Sequence, residues 1–342
     1  MMLKTNFYLR SMLVPILGIL LFTGCQDSQP EVVVYTSVDQ PFSEPIFRSF
    51  EESTGIKVRA VYDVEAAKTT GLVNRLIAEK NAPKADIYWN NEILQSIRLQ
   101  ENGILQAYVS PNAASIPEIF RDRDGYWVGI TARARVLIIN TEKVDDPSQI
   151  DSLYDLLDPQ WSSNEIGIAY PLFGTTATHA AALYAYWGEG QAREYFQNLV
   201  DRGVRVVDGN SVVRDMVSNG DLTFGVTDTD DACAALNRGK PVKIILPDQD
   251  GFGTLVIPST VALIANSPNP VGGKALIDYL LLEGTERSLL ESGFSHVPIH
   301  AGIPNPKKCI DLSNIKEMDV NYMDVLSSFD AVQEELRDIF VR

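Results

Sequence analysis

Between residues 31 and 92, apolar strand-like runs alternate with amphipathic helix-like stretches, and that alternation leaves the chain few architectures. Glu31-Val32-Val33-Val34-Tyr35 is the continuous apolar run expected of a strand buried on both faces. A polar turn, Thr36-Ser37-Val38-Asp39-Gln40, follows it, and Pro41 stands where a helix can begin without needing the missing N–H. Phe42, Ile46, Phe47 and Phe50 recur at helical spacing, predicting a helix over 41–53 that stops at Gly55. Residues 57–62 read as a second strand. Residues 69–80 read as a helix with Leu72, Leu76 and Ile77 on one face, and 85–89 as a third strand ending in Asn90-Asn91-Glu92. Strands joined through helices run parallel, so the expected class is α/β, with polar residues at the strands' C-terminal edge.

The N-terminus precedes this pattern and does not belong to it. Lys4 and Arg10 give a basic start, and residues 11–22 form an apolar core of signal-peptide length, too short to span a bilayer comfortably. The sequence Leu20-Leu21-Phe22-Thr23-Gly24-Cys25 resembles a bacterial lipobox, with Phe22 where Leu is more usual. The expectation is a lipoprotein signal peptide over 1–24, lipidation at Cys25 and a polar tether over 25–30; an ordinary cleaved signal or a membrane anchor is the alternative. Without 1–24 the chain keeps 27 Lys and Arg against 45 Asp and Glu, a formal charge of −18. That charge argues against nucleic acid and against electrostatic docking on anionic lipid. Cys233 and Cys309 remain, with no metal-type spacing, and their pairing is open.

Further along, the spacing predicts strands over 136–140, 165–169, 204–207, 224–226, 243–246 and 260–265. Helices are expected over 150–157, 177–187, 211–219, 271–282 and 285–292, with a helical tail over 322–340. Gly174-Thr175-Thr176 at a helix start offers free N–H groups and hydroxyls suited to an oxyanion, although a plain cap accounts for one Thr. Gly225-Val226-Thr227-Asp228-Thr229-Asp230-Asp231-Ala232-Cys233 puts three carboxylates between the end of a strand and the start of a helix. One Asp suffices for a helix cap, and three suggest a ligand site at the sheet edge where α/β proteins bind.

Several stretches together resemble the periplasmic solute-binding proteins of ABC transporters. They are the Tyr35-Thr36-Ser37 turn with Phe50-Glu51-Glu52-Ser53-Thr54-Gly55-Ile56-Lys57-Val58, then Ala85-Asp86-Ile87-Tyr88-Trp89, Gln100-Glu101-Asn102-Gly103-Ile104-Leu105 and Trp127-Val128-Gly129-Ile130-Thr131-Ala132-Arg133-Ala134-Arg135-Val136. The chain is most similar to the ferric-iron-binding group over essentially all of 31–300. The resemblance implies a type II two-lobe fold, each lobe a mainly parallel sheet flanked by helices, with the ligand cleft between the lobes. It places lobe 1 at 31–130 plus 256–300 and lobe 2 at 131–255 plus 301–342, the tail packing on lobe 2. It also implies an ABC permease and ATPase as partners, a periplasmic or cell-surface location, and a monomer.

Carried onto this sequence, the resemblance points to Tyr35, Ser37, Asp39, Asn91, Glu92, Arg133, Thr175, Thr176, Asn210, Asp228, Asp230 and Asp231 as ligand-binding residues. Asp39, Glu92, Asp230 and Asp231 are the metal candidates, and the Gly174-Thr175-Thr176 turn is where the ferric group holds its synergistic anion. The main departure is at Asp230-Asp231, where ferric-binding relatives carry paired tyrosines; Asp39 also stands where many relatives have a His, and Asn91 or Glu92 corresponds to their Glu after the third strand. Carboxylates are also hard oxygen donors, so a hard metal cation remains the first expectation for the ligand, with or without an anion. A polyamine-like organic cation and an organic phosphate are the alternatives within binding proteins, the former because Tyr35, Tyr62, Tyr88 and Trp89 offer cation–π faces. His179, His296 and His300 form no catalytic set, and no nucleophile elbow, P-loop or dinucleotide fingerprint is present. An exported hydrolase built on paired carboxylates needs them across a substrate, and this Asp run is too local for that.

Overall fold

The computed structural model describes residues 30–63, 71–294, 297–300, 302–304, 309–310 and 315–341. The expected signal peptide, Cys25, nearly all of the tether, and His296 lie outside them.

The first βαβαβ run forms as its spacing predicts: β1 (Glu31–Thr36), α1 (Gln40–Thr54), β2 (Lys57–Tyr62), α2 (Gly71–Ala78) and β3 (Ile87–Asn90). β1 pairs in parallel with β2 on one side and β3 on the other. α1 ends because Gly55 takes the left-handed conformation at φ 73°, and its N–H donates to the Glu51 carbonyl. Next come α3 (Ile93–Glu101), β4 (Leu105–Gln106) and β5 (Val128–Asn140). β5 is one uninterrupted strand of 13 residues, where sequence spacing suggested a strand only over 136–140.

Then follow β6 (Ile166–Ala169), α4 (Gly174–Trp187), α5 (Glu189–Arg202), β7 (Arg205–Val207), α6 (Asn210–Ser218), β8 (Phe224–Asp228), α7 (Thr229–Asn237) and β9 (Val242–Ile245). The chain ends with β10 (Val256–Ile264), α8 (Pro270–Leu280), α9 (Glu283–Ser292) and α10 (Tyr322–Phe340). Residues 150–157 do not make an α-helix; a 3-10 turn at Leu153–Leu157 stands there, closed by Ser152 and Asp155 as a capping box. α5 was not anticipated, although its buried Ala192, Tyr195, Phe196 and Leu199 follow a helical period.

The strand order is β2-β1-β3-β10-β5-β8-β6-β7, with β4 on β10 and β9 on β5. β5 and β10 make this one continuous sheet. The first half of β5 pairs with β10, and its second half with β8 and β9. Alternation along the strands feeds two apolar cores: Val33, Tyr35, Leu137 and Ile139 face one, while Val32, Val34, Val136 and Ile138 face the other. α10 packs on α4 and α5 and also on α3. Cys233 of α7 is joined to Cys309, with Cα atoms 5.5 Å apart.

Candidate functional site

Strand periodicity puts Arg133 and Arg135 on one face of β5, just where its pairing passes from β10 to β8. Arg135 lies directly opposite Asp228, the last residue of β8. Its Nη1 donates to Asp228 Oδ1 at 2.6 Å and to Asn210 Oδ1 at 3.1 Å, and its Nε faces His179 Nδ1 at 3.3 Å. The other Asp228 oxygen accepts from Thr175 Oγ1 at 2.6 Å and Asn210 Nδ2 at 3.0 Å. Thr176 Oγ1 completes the group by donating to Asn210 Oδ1 at 3.1 Å. His179 is buried beside the guanidinium, and burial first and that charge second hold it well below its ordinary pKa, hence neutral.

Three helices therefore begin at one place: α4 with Thr175 and Thr176, α6 with Asn210, and α7 after Asp228. No side chain caps any of the three at the N-cap position. Asp228 occupies the α7 N-cap position, yet its carboxylate turns to Arg135, Thr175 and Asn210, so a simple capping role does not describe it. Gly225, three residues earlier, is required by close packing: a Cβ there would lie 2.5 Å from the Gly167 carbonyl oxygen and 2.6 Å from Val213 Cγ1.

Asp230 and Asp231 open the first turn of α7, where the helix dipole favours negative charge. Arg133 Nη1 lies 3.2 Å from Asp230 and 3.8 Å from Asp228. Arg214 Nη1 lies 2.7 Å from Asp231. The carboxylates of Asp228, Asp230 and Asp231 have oxygens all within 4.8 Å of one another, and among the described residues they are the one such acidic group. Burial, followed by the charges of Asp230 and Asp228, pushes Asp231 up to about 7 despite Arg214 and Arg133. Burial is also the main cause raising Asp230. Sequence reasoning treated the acidic run as needing a cation from outside; the fold supplies three arginines of its own. Arg135 and Arg214 went unrecognised as site residues, although the Arg133-x-Arg135 alternation on a strand was a readable signal.

The first-lobe candidates are distributed differently. Asp39, exposed at the start of α1, is near enough for its charge to help hold Arg133 protonated. Ser37 and Asn91 clasp one another: Asn91 N–H donates to Ser37 Oγ, and Asn91 Nδ2 to the Ser37 carbonyl, both at 2.9 Å. Glu92 is the N-cap of α3, accepting from the Leu94 and Gln95 N–H groups, and it also accepts from Thr178 of α4 at 3.2 Å. Both Glu92 oxygens are thus engaged, and neither Glu92 nor Asp39 belongs to the converging acidic group. Tyr35 is engaged elsewhere: its hydroxyl donates to Glu79 at 2.9 Å and its ring lies under Arg75 at 4.7 Å.

The arrangement can hold charge of either sign, through the carboxylates of Asp228, Asp230 and Asp231 or through the guanidinium of Arg133 and the N-terminus of α4. The family model for bacterial extracellular solute-binding proteins matches residues 46–316. Iron uptake protein A1 of Synechocystis sp. is 27% identical over 298 residues, covering 84% of this chain and 81% of that protein. Among solved structures, the ferric binding protein from Campylobacter jejuni superposes with a TM-score of 0.80 at 23% identity, covering 90% of this chain and 99% of that one. The periplasmic binding protein AfuA from Actinobacillus pleuropneumoniae, with exogenous fructose-6-phosphate bound, superposes at 0.76 with 22% identity, covering 91% and 98%. These folds are the type II two-lobe kind, and the polar group described above sits where β5 passes from pairing with β10 to pairing with β8. On the match over most of its length, the chain belongs to the bacterial extracellular solute-binding protein family.

Proposed function

We propose that this protein is the extracytoplasmic, lipid-anchored solute-binding component of an ABC importer, capturing an iron-like hard metal cation together with an anion. The observation that carries this reading is the convergence of Asp228, Asp230 and Asp231, with Asp230 Oδ1 buried and unpartnered among the described residues. Carboxylate oxygens suit hard cations, and a buried oxygen without a donor is an open ligand position. Asp228 is saturated by its own hydrogen bonds and positions its neighbours; Asp230 and Asp231 are the second-lobe ligands, with Asp39 the first-lobe carboxylate facing Arg133. Thr175, Thr176 and Arg133 hold the anion, next to the α4 N-terminus. The names of the Synechocystis and Campylobacter relatives agree with iron. The protein acts by binding and lobe closure, without chemistry, and passes the solute to a permease and its ATPase.

A second reading, an organic phosphate, is favoured by one observation: Arg133, 14% exposed, already occupies the space between Asp228 and Asp230. A guanidinium there suits a phosphate, with Asp residues accepting from solute hydroxyls. Mass spectrometry and metal analysis of natively purified protein, followed by titration of wild type and Asp230→Ala/Asp231→Ala, separate the two. Bound iron whose affinity falls at least about tenfold in the double variant is the expected result. Unchanged affinity for every ligand found would sink the site assignment.

A further inference from the structure

Away from the group around Asp228, a cavity of about 410 Å³ lies in the connection between β4 and β5, and among the described residues the two share no lining side chain. The connection, residues 107–127, carries 3-10 turns at Pro111–Ser115 and Glu118–Phe120. Ala113, Trp127 and Val128 are buried and give the cavity an apolar lining, to which the ring of Tyr108 adds. Its volume falls in the range of small-molecule sites, roughly 300–1,000 Å³.

Glu118, Arg121, Asp122 and Arg123 also border the cavity, and they are not equivalent. Asp122 is taken up by the connection itself. One of its oxygens accepts from Gln100 Nε2 at 3.2 Å, and the other from the N–H groups of Asp124 and Tyr126 at 3.0 Å. Glu118 is 93% exposed and 3.7 Å from Arg121, a contact that water screens. The Arg123 side chain makes no ion pair or hydrogen bond among the described residues. The polar atoms of the aromatic lining are engaged too: Trp127 Nε1 donates to Gln100 Oε1 at 3.1 Å, and the Tyr108 hydroxyl to Asp278 at 2.8 Å. Aromatic faces, aliphatic surface and two guanidinium groups are what the lining leaves to a ligand.

We propose that this cavity is a second binding site, for a small organic carboxylate with an apolar ring or short chain. Arg121 and Arg123 hold the carboxylate, since a guanidinium pairs with it through two parallel N–H bonds. Trp127, Tyr108 and Val128 cover the apolar body, and ring contacts add to the area it buries. An organic cation would instead face two guanidinium groups, with one neighbouring carboxylate engaged and the other in water. The site goes beyond solute capture at Asp228 and does not depend on it.

Calorimetric titrations with indole-3-acetate and octanoate, and with tryptamine and octylamine as their cationic counterparts, test this on the wild-type protein. The chain's net charge of −16 by itself favours the amines. At least one carboxylate is expected to bind about tenfold or more tightly than its matched amine. Arg121→Gln/Arg123→Gln is expected to lose about tenfold of that affinity. Its unliganded melting temperature should stay within about 2 °C of wild type, and a larger fall overturns the proposal, because the arginines would then serve the fold. Ala113→Leu, which fills the cavity, should lose the carboxylate as well, and if that variant does not fold the arginine variant decides alone. Asp230→Ala/Asp231→Ala should bind the carboxylate as wild type does. A carboxylate affinity that this last variant shifts, or that the arginine variant retains, puts the probe elsewhere and overturns the proposal. Failure of both carboxylates to bind, or equal binding of the amines, overturns it too.

Discussion

Arg135 Nη1 lies 2.6 Å from Asp228 Oδ1, and the two side chains are 1% and 3% exposed. The pair is buried on both sides, and Thr175, Asn210 and His179 all orient on it. Removing the cation alone strands a buried carboxylate. Arg135→Met is therefore expected to lower unfolding free energy by about 3–5 kcal/mol, whereas Arg135→Met with Asp228→Leu should recover most of it. Urea denaturation of both variants measures this.

Asp231, raised to about 7, makes the unliganded protein pH-sensitive. Its folded pKa lies above the unfolded carboxylate value near 3.8, so the stability linked to its proton is fully present below that value and is lost as pH rises through about 7. Thermal melts without ligand should fall as pH rises from about 4 to about 7, and Asp231→Asn should flatten that fall most in its upper part, between about pH 6 and pH 7. Asp248, also held up by burial at about 6, loses its own contribution at lower pH and leaves a residual slope in the variant.

The Cys233–Cys309 bridge closes a loop of 76 residues and ties the segment before α10 to the helix that carries Asp230 and Asp231. Replacing both cysteines with serine should cost about 2–5 kcal/mol. Hydrogen exchange should then rise in α7 relative to α4, which the bridge does not touch. Equal protection of α7 with and without the bridge would remove its role in holding the site.

Gly225→Ala should destabilise by about 1–3 kcal/mol, because the added methyl meets a backbone carbonyl that cannot rotate away. Gly209→Ala meets nothing within 4 Å and serves as the control. A chemical-denaturation comparison in which the two cost the same would contradict the tight β6–β8 packing.

Much of the framework was legible because its signals are local. The period-2 and period-3.6 patterns placed β1, α1, β2 and β3 within a residue or two, and Gly55 stopped α1 as its lack of a Cβ allows. The long crossing strands were less legible. β5 and β10 change partners midway, and a strand's apolar run says nothing about where its neighbours exchange. At 150–157, where a helix was expected, a five-residue 3-10 turn stands; so short a segment is too brief for its spacing to separate an α-helix from a 3-10 turn.

The sequence by itself determined that an acidic strand-to-helix turn would stand at the ligand edge of an α/β sheet, because chain connectivity forces polar strand ends onto one side. Only the tertiary structure decided what that turn meets. Arg135 is opposite Asp228 through antiparallel register, Arg214 reaches Asp231 from α6, and Arg133 lies between Asp228 and Asp230. Those partners come from 17 to 97 residues away along the chain. Charge compensation at a site is a property of distance in space, and sequence separation carries almost none of it.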